Sequence, residues 1–497
     1  MKCRKTFQTA LALALASSFV SVSAGAVLAK NQSLLPPHPH AQAKYVILMI
    51  SDGMGGWHAD ATSKYLQNPL AMESLTHHGY MTTFMRNPLA SSETGEYWHL
   101  PSEIGTYDPT QGGYTPWELP TVPAYVDSGA TDSAAAASAM FTGYKIPKYS
   151  LNAIGKNDGY PSDTPFSVKY YQTIFELAET SGKATGLITS VNFNHATPAS
   201  GVVKTQYRKN YGEKARQMIY SDIDVIMGAG HPGYDDNGVP LAEPNFYGFS
   251  KNKGTYLDDV DGEALYNLVT NDFKGRTFID QKSDFEDLAS GALEDGTTPA
   301  RVFGLAQVAN TLQYNRNPDE DQANNKLAVH LGGDPLNANV PTLQTMTEAA
   351  LVALEQDKDG FVMMVEGGAI DWAGHGNNLA RVLEENIDFD NAVQSVIDWV
   401  DDTENGSDWS NTLLIVTADH ETGHLQPVGE AHGDEVFAAE CWGVDCAGWG
   451  SHTNSLVPIY AQGGRAFKLQ AEYLGDIRDN TDIYTVMATA LNGKKEK

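Results

Sequence analysis

Tyr45-Val-Ile-Leu-Met-Ile-Ser-Asp52 is an unbroken apolar run that ends on a carboxylate. Two further runs repeat the pattern. Phe361-Val-Met-Met-Val meets Glu366, with Asp371 and His375 just beyond, and Leu413-Leu-Ile-Val-Thr-Ala meets Asp419-His420. Short apolar runs rich in β-branched residues read as strands buried on both faces, the mark of a parallel sheet. In open α/β sheets, sites form beyond the carboxyl ends of the strands. Acidic and imidazole groups placed there three times predict one shared site built around metal ions.

The chain around these runs alternates strand and helix. Leu379, Val382, Leu383, Ile387, Val393, Ile397 and Val400 mark a helix over 379–400, and another covers 342–355. Thr185-Gly-Leu-Ile-Thr and Asp224-Val-Ile-Met-Gly-Ala-Gly read as strands. A small-residue helix, Ala134 to Phe141, stops at Gly143, and Tyr171, Ile174, Phe175 and Ala178 sit at helical spacing before Gly182. This alternation predicts an α/β fold with a mostly parallel central sheet and helices on both faces. One catalytic domain is expected over 30–497. Residues 86–128 read as a long loop, the kind that usually forms a lid or rim, and 232–330 as a mixed insertion with solvated acidic turns.

The N-terminus reads as a secretory signal over 1–29. Lys2, Arg4 and Lys5 precede an apolar stretch from Ala10 to Val20, and small residues offer cleavage after Ala24 or Ala29. No other segment is long and apolar enough to span a bilayer, which predicts a soluble protein in the periplasm or outside the cell. Losing the signal removes three positive charges and no acids, taking the formal charge from −29 to −32. That charge argues against binding to nucleic acid or an anionic membrane, since both want a basic surface. Cys3 leaves with the signal, and Cys441 and Cys446 are expected to pair across a short loop, as exported proteins favour.

Four of the fourteen histidines stand out: His195, His375, His420 and His452. Asp371 with His375, Asp419 with His420, and His452 in a glycine-rich loop offer the nitrogen and carboxylate ligands that zinc takes. Two such groups near Asp52 fit a two-metal site for phosphoryl transfer. Asp52, Glu366 and the Thr197 hydroxyl form a harder, all-oxygen set suited to magnesium. Ser133 opens the small-residue helix, where free N–H groups favour a phosphate. On that segment alone, a mere N-cap is the better reading. No G-x-S-x-G is present, so a nucleophilic serine here would need a metal ion to lower its pKa. Arg208 carries the fork that matches two phosphate oxygens, though a surface arginine fits the spacing equally.

In combination and order these motifs resemble the alkaline phosphatase family from about Lys44 to Gly464. They are Ser51-Asp-Gly-Met-Gly, Thr131-Asp-Ser-Ala-Ala, His195-Ala-Thr-Pro-Ala, Glu366-Gly-Gly-Ala-Ile-Asp-Trp-Ala-Gly-His, Thr417-Ala-Asp-His-Glu-Thr-Gly-His and Gly450-Ser-His-Thr. The resemblance implies hydrolysis of small phosphate monoesters through a phosphoserine at Ser133, with two Zn2+ and one Mg2+. It implies Asp371, His375 and His452 for the first zinc; Asp52, Asp419 and His420 for the second; and Asp52, Thr197 and Glu366 for magnesium. Arg208 would clamp the phosphate. His195 stands where some members have aspartate and is expected to act through water; Trp372 stands where others have lysine or histidine, altering the surroundings of the metals. The brief stretch 424–450 implies only a small crown-like insertion. Family members are often homodimers, but no stretch here reads as a dimer interface. A diesterase of the same superfamily is the main alternative, and a phosphate- or metal-binding protein without turnover is another; a sulfatase is excluded because Cys-x-Pro-x-Arg is missing.

Overall fold

The computed structural model describes residues 42–86, 130–154, 169–252, 259–316, 335–428, 439–443, 446–464 and 478–492. The expected signal peptide and nearly all of the 86–128 loop lie outside these residues. His38–Lys497 forms one compact unit.

Ten strands build the central sheet: β1 (Tyr45–Ser51), β2 (His77–Thr82), β3 (Ala184–Asn192), β4 (Val225–Ala229), β5 (Thr277–Ile279), β6 (Val302–Leu305), β7 (Phe361–Gly367), β8 (Thr412–Thr417), β9 (Val457–Gly463) and β10 (Arg478–Asp479). Their spatial order is β10-β2-β9-β8-β1-β7-β3-β4-β6-β5. All neighbours pair in parallel except those of β9, which runs against both β8 and β2. The three opening runs are the centre of this sheet. Every residue of β1, β7 and β8 is buried, as strands covered on both faces require.

Register sets the site. Ile50 lies opposite Glu366 on one side and Thr417 on the other, and Thr189 lies opposite Glu366. The carboxyl ends of β8, β1, β7 and β3 therefore form one continuous edge.

The helices that frame the site are α1 (Gly56–Leu66), α2 (Ser133–Thr142), α3 (Tyr211–Tyr220), α4 (Leu343–Leu354), α5 (Ala369–His375), α6 (Leu379–Asp401) and α7 (Thr481–Asn492), with further helices between. α6 packs with α1 and α4, and α7 packs with α2, while both α6 and α7 reach β1; helices flank the sheet on both faces. α6 matches its periodicity because Val382, Phe389, Val393 and Val396 form its buried stripe.

The stretch 232–330 differs from its reading as an insertion. It contributes β5 and β6 to the sheet, and helices Gly262–Val269 and Lys282–Ala289. Strands of three and four residues are too short to carry a periodic signal. Between 424 and 450, Leu425–Val428 pairs antiparallel with Ala439–Trp442. Cys441 and Cys446 are joined by the expected disulfide. Tyr171 falls before its helix, which starts at Ile174. Thr173 and Glu176 cap each other's backbone N–H there, and such a box sets a helix start more firmly than apolar spacing does.

Candidate metal and phosphate site

Asp52 follows β1 directly, Glu366 lies near the end of β7, and Asp419-His420 lie just beyond β8. Asp371 and His375 lie one turn apart on α5, which leaves β7 after two glycines. His195 and Thr197 sit in the short helical turn beyond β3. His452 returns on a two-residue strand that pairs with Glu421–Thr422. Three groups of donor atoms result: Asp371–His375–His452, Asp52–Asp419–His420 and Asp52–His195–Glu366, each with atoms within 4.8 Å of one another.

The first group is oriented by backbone carbonyls. His375 Nδ1 donates to the Gly450 carbonyl at 2.8 Å, and His452 Nδ1 to the Thr131 carbonyl at 2.7 Å. A carbonyl only accepts, so each Nδ1 carries its proton there and both Nε2 atoms turn inward. They lie 3.1 Å apart, each 3.4 Å from the Asp371 carboxylate. The Thr422 hydroxyl holds Asp371 Oδ1 at 2.5 Å. Burial works against the Asp371 charge, but His375 and His452 outweigh it and hold the carboxyl well below the usual range. Burial likewise opposes a charged His375, and Asp371 overrides it, raising that ring to about 9.

The other two groups share Asp52, which is fully buried. Burial, then the Asp419 charge, pushes Asp52 well above the ordinary carboxylate range. Burial pushes Glu366 up to about 7, and burial with the Asp371 charge pushes Asp419 up to about 6. Both Asp52 oxygens, Glu366 Oε1, Asp419 Oδ2 and Thr197 Oγ1 are buried with no hydrogen-bond partner among the described residues. Acceptors converging in a buried space without donors are what a resident cation requires. The donor chemistry fits divalent metals: mixed imidazole and carboxylate in two groups, mainly oxygen in the third.

The His195 ring falls within ligand spacing of Asp52 and Glu366. A role through water alone is therefore not required of it. Burial, then the nearby Arg208, drives its pKa well down, so the ring is neutral and can ligate.

Ser133 is not the cap of α2. Asp132 is: its Oδ1 accepts from Ala135 N at 3.3 Å. Ser133 is the first helical residue, and its hydroxyl lies 3.2 Å from His420 Nε2. The same His420 nitrogen is 3.2 Å from Asp419 Oδ2 and 3.5 Å from Asp52 Oδ1. Arg208 Nη1 pairs with Asp132 Oδ2 at 2.8 Å, and Nη2 meets His195 Nε2 at 3.4 Å. Asp132 thus caps the helix bearing the serine and fixes the arginine beside it. A pocket of about 520 Å³ opens over Ser133, Arg208, Asp371, His375 and His452. Trp372 forms part of its wall and meets the His195 ring edge-on at 5.8 Å.

All twelve residues singled out from the sequence lie in or against this region. The sequence reading passed over Asp132, Thr189 and Thr422. Thr189 donates to Glu366 from the neighbouring strand. A β-strand threonine carries no motif, and only the register reveals it. Asp132 was legible, since aspartate before a small-residue helix is an N-cap signal.

Fold and site together define an α/β protein with a metal-donor cluster at the carboxyl edge of its sheet and a serine at a helix N-terminus above it. A family model for alkaline phosphatase matches residues 121–442. The chain is similar to the alkaline phosphatase of Escherichia coli (strain K12), 28% identical over 482 residues, covering 91% of this chain and 87% of that protein. It is 31% identical over 310 residues to alkaline phosphatase 3 of Bacillus subtilis (strain 168), over 61% of this chain and about half, 52%, of that one. Among solved structures, the alkaline phosphatase from the Antarctic bacterium TAB5 shares the fold with a TM-score of 0.58 at 21% identity, covering 91% of this chain and 100% of that chain. The chain belongs to the alkaline phosphatase family.

Proposed function

We propose that the chain hydrolyses phosphate monoesters through a phosphoserine at Ser133. The observation that carries this reading is the Ser133 hydroxyl, at the N-terminus of α2 and 3.2 Å from His420, beside an arginine held by Asp132. Asp371, His375 and His452 would hold one zinc, and Asp52, Asp419 and His420 a second; Asp52, Glu366 and Thr197 would hold a magnesium, with His195 against it. When bound, these ions would supply positive charge to neutralise the phosphate and to lower the pKa of the serine hydroxyl.

Arg208 offers its fork to two non-bridging phosphate oxygens. The free N–H groups at the start of α2 add positive potential on the same side. Ser133 Oγ gives up its proton and bonds phosphorus in line, while the bond from phosphorus to the alcohol oxygen breaks and that oxygen takes a proton. Water then attacks the phosphoserine from the vacated side, releasing inorganic phosphate and restoring the hydroxyl. Arg208 stays fixed throughout, because Asp132 is nearly fully buried and the pair is preorganised for charge on the phosphate.

The same reading places residues 30–497 in one catalytic domain exported to the periplasm or beyond, with 1–29 as its signal. The Cys441–Cys446 disulfide supports an oxidising compartment. Homodimeric assembly belongs to the reading through the family resemblance alone. Rates of the metal-loaded protein on phenyl phosphate and on bis-phenyl phosphate test the central step. The monoester is expected to turn over faster by orders of magnitude; a faster diester would make the protein a diesterase.

A further inference from the structure

A lysine that the reaction above does not use lies buried beside the phosphate site. Lys214 is 1% exposed and sits in the N-terminal half of α3. Close packing encloses it. A Cβ on Gly212 would lie 2.4 Å from the Ser250 carbonyl oxygen, so α3 presses against the short helix Tyr247–Ser250. The start of α3 is also tied to the site. Asn194, next to His195, donates from Nδ2 to the Tyr211 carbonyl at 3.1 Å, and Arg208 stands just before the helix.

The local surroundings oppose a cation here. Burial penalises the charge, and the N-terminal end of a helix carries positive potential. Among the described residues no carboxylate pairs with Lys214, and the charged group acting on it is Arg208, of the same sign. Burial, then Arg208, hold its pKa well down. One contact favours the ammonium: Nζ lies over the Tyr211 ring, 4.3 Å from its centre. Such a contact recovers only part of the cost of burial. An apolar side chain would suit this buried face of α3 better. A charge kept against local preference is the mark of a functional position. The charge missing from the group is an anion. Arg208 and His195, which both feel Lys214, line the pocket over Ser133 where a phosphate would sit.

We propose that Lys214 is a positioning residue for the phosphate, acting through Arg208 by the positive charge it adds behind that side chain. Lys214 does not itself line the pocket, so it touches neither the phosphate nor a reacting atom. Its charge strengthens binding of the phosphate dianion at a cost to the stability of the fold.

The proposal rests on the monoesterase reading, and the test separates the two. Calorimetry with inorganic phosphate gives Kd for metal-loaded wild type and Lys214→Met without any turnover. Hydrolysis of phenyl phosphate by the wild type reports the monoesterase reading by itself. Lys214→Met is expected to bind phosphate about tenfold more weakly, through the loss of one charge at short range. Its KM for phenyl phosphate should rise by a similar factor with kcat unchanged. Bound metal should stay the same, and Tm should rise because a buried charge is gone. An unchanged Kd overturns the proposal. A weaker Kd accompanied by lost metal or a lower Tm assigns Lys214 to the fold and overturns it too. Lys214→Gln keeps length and polarity without charge, which guards against misfolding of the methionine variant. It should show the same tenfold loss, and wild-type affinity in it overturns the proposal.

Discussion

Stripping the metal ions should uncover a carboxylate contribution to stability that falls as pH rises from about 4 to about 7. Asp52, Glu366 and Asp419 are buried together with oxygens that have no donor among the described residues. Glu366 moves from 4.5 to about 7 and Asp419 from 3.8 to about 6, with burial the main cause in each. Each shift corresponds to about 3 kcal/mol. At these carboxylates the metal-free folded state binds more protons than the unfolded chain, whereas burial holds His58, His195 and His420 low and their contribution runs the other way across the same window. The carboxylate contribution is full below the unfolded values and is lost as pH passes the folded ones. The two carboxylates share one cluster of charge, so together they contribute at most about 6 kcal/mol, which over the unfolding entropy of a unit of this size is at most about 6 °C in Tm. His375, raised to about 9, extends the fall above neutral pH, while Asp371, held low, acts only below the window. Excess metal should reverse the loss at pH 7.5 by about 4 kcal/mol at a thousandfold excess over Kd. Thermal unfolding of chelator-treated protein between pH 4.5 and 8, with and without zinc and magnesium added back, measures both effects. A Tm that added metal leaves unchanged at pH 7.5 would refute the reasoning.

Arg208→Lys keeps the charge but loses the fork, so KM for a monoester should rise about tenfold with Tm nearly unchanged; steady-state kinetics and a melt check this together. Gly53 has φ +81°, and a Cβ there would lie 2.6 Å from the Asp371 Cα, so Gly53→Ala should cost about 2 kcal/mol and lower bound zinc. Metal analysis of the purified variant alongside its melt reads both. Replacing Cys441 and Cys446 with serine should cost about 2 kcal/mol through the short closed loop, and a denaturant titration measures it.

The sheet's centre was legible because β1, β7 and β8 are buried on both faces and so read as continuous apolar runs. Their acidic ends gave away the site for the same reason: a carboxylate closing a buried strand is expensive unless something pairs with it. The flanks were harder. β5 and β6 are too brief for periodicity, and nothing in Val457–Gly463 distinguishes an antiparallel strand from a parallel one. Asp371, His375 and His452 were visible as residue types, but the Gly450 and Thr131 carbonyls that turn their rings inward are backbone groups without a sequence signature.

The phosphoserine is the claim on which the rest turns. Metal-loaded protein incubated with a monoester, quenched in acid and digested should yield one phosphorylated peptide, the one containing Ser133, by mass spectrometry. The Ser133→Ala variant should yield none and lose turnover by at least about a thousandfold. Undiminished phosphate release by Ser133→Ala, or a phosphoryl group carried on a different residue, would contradict the account.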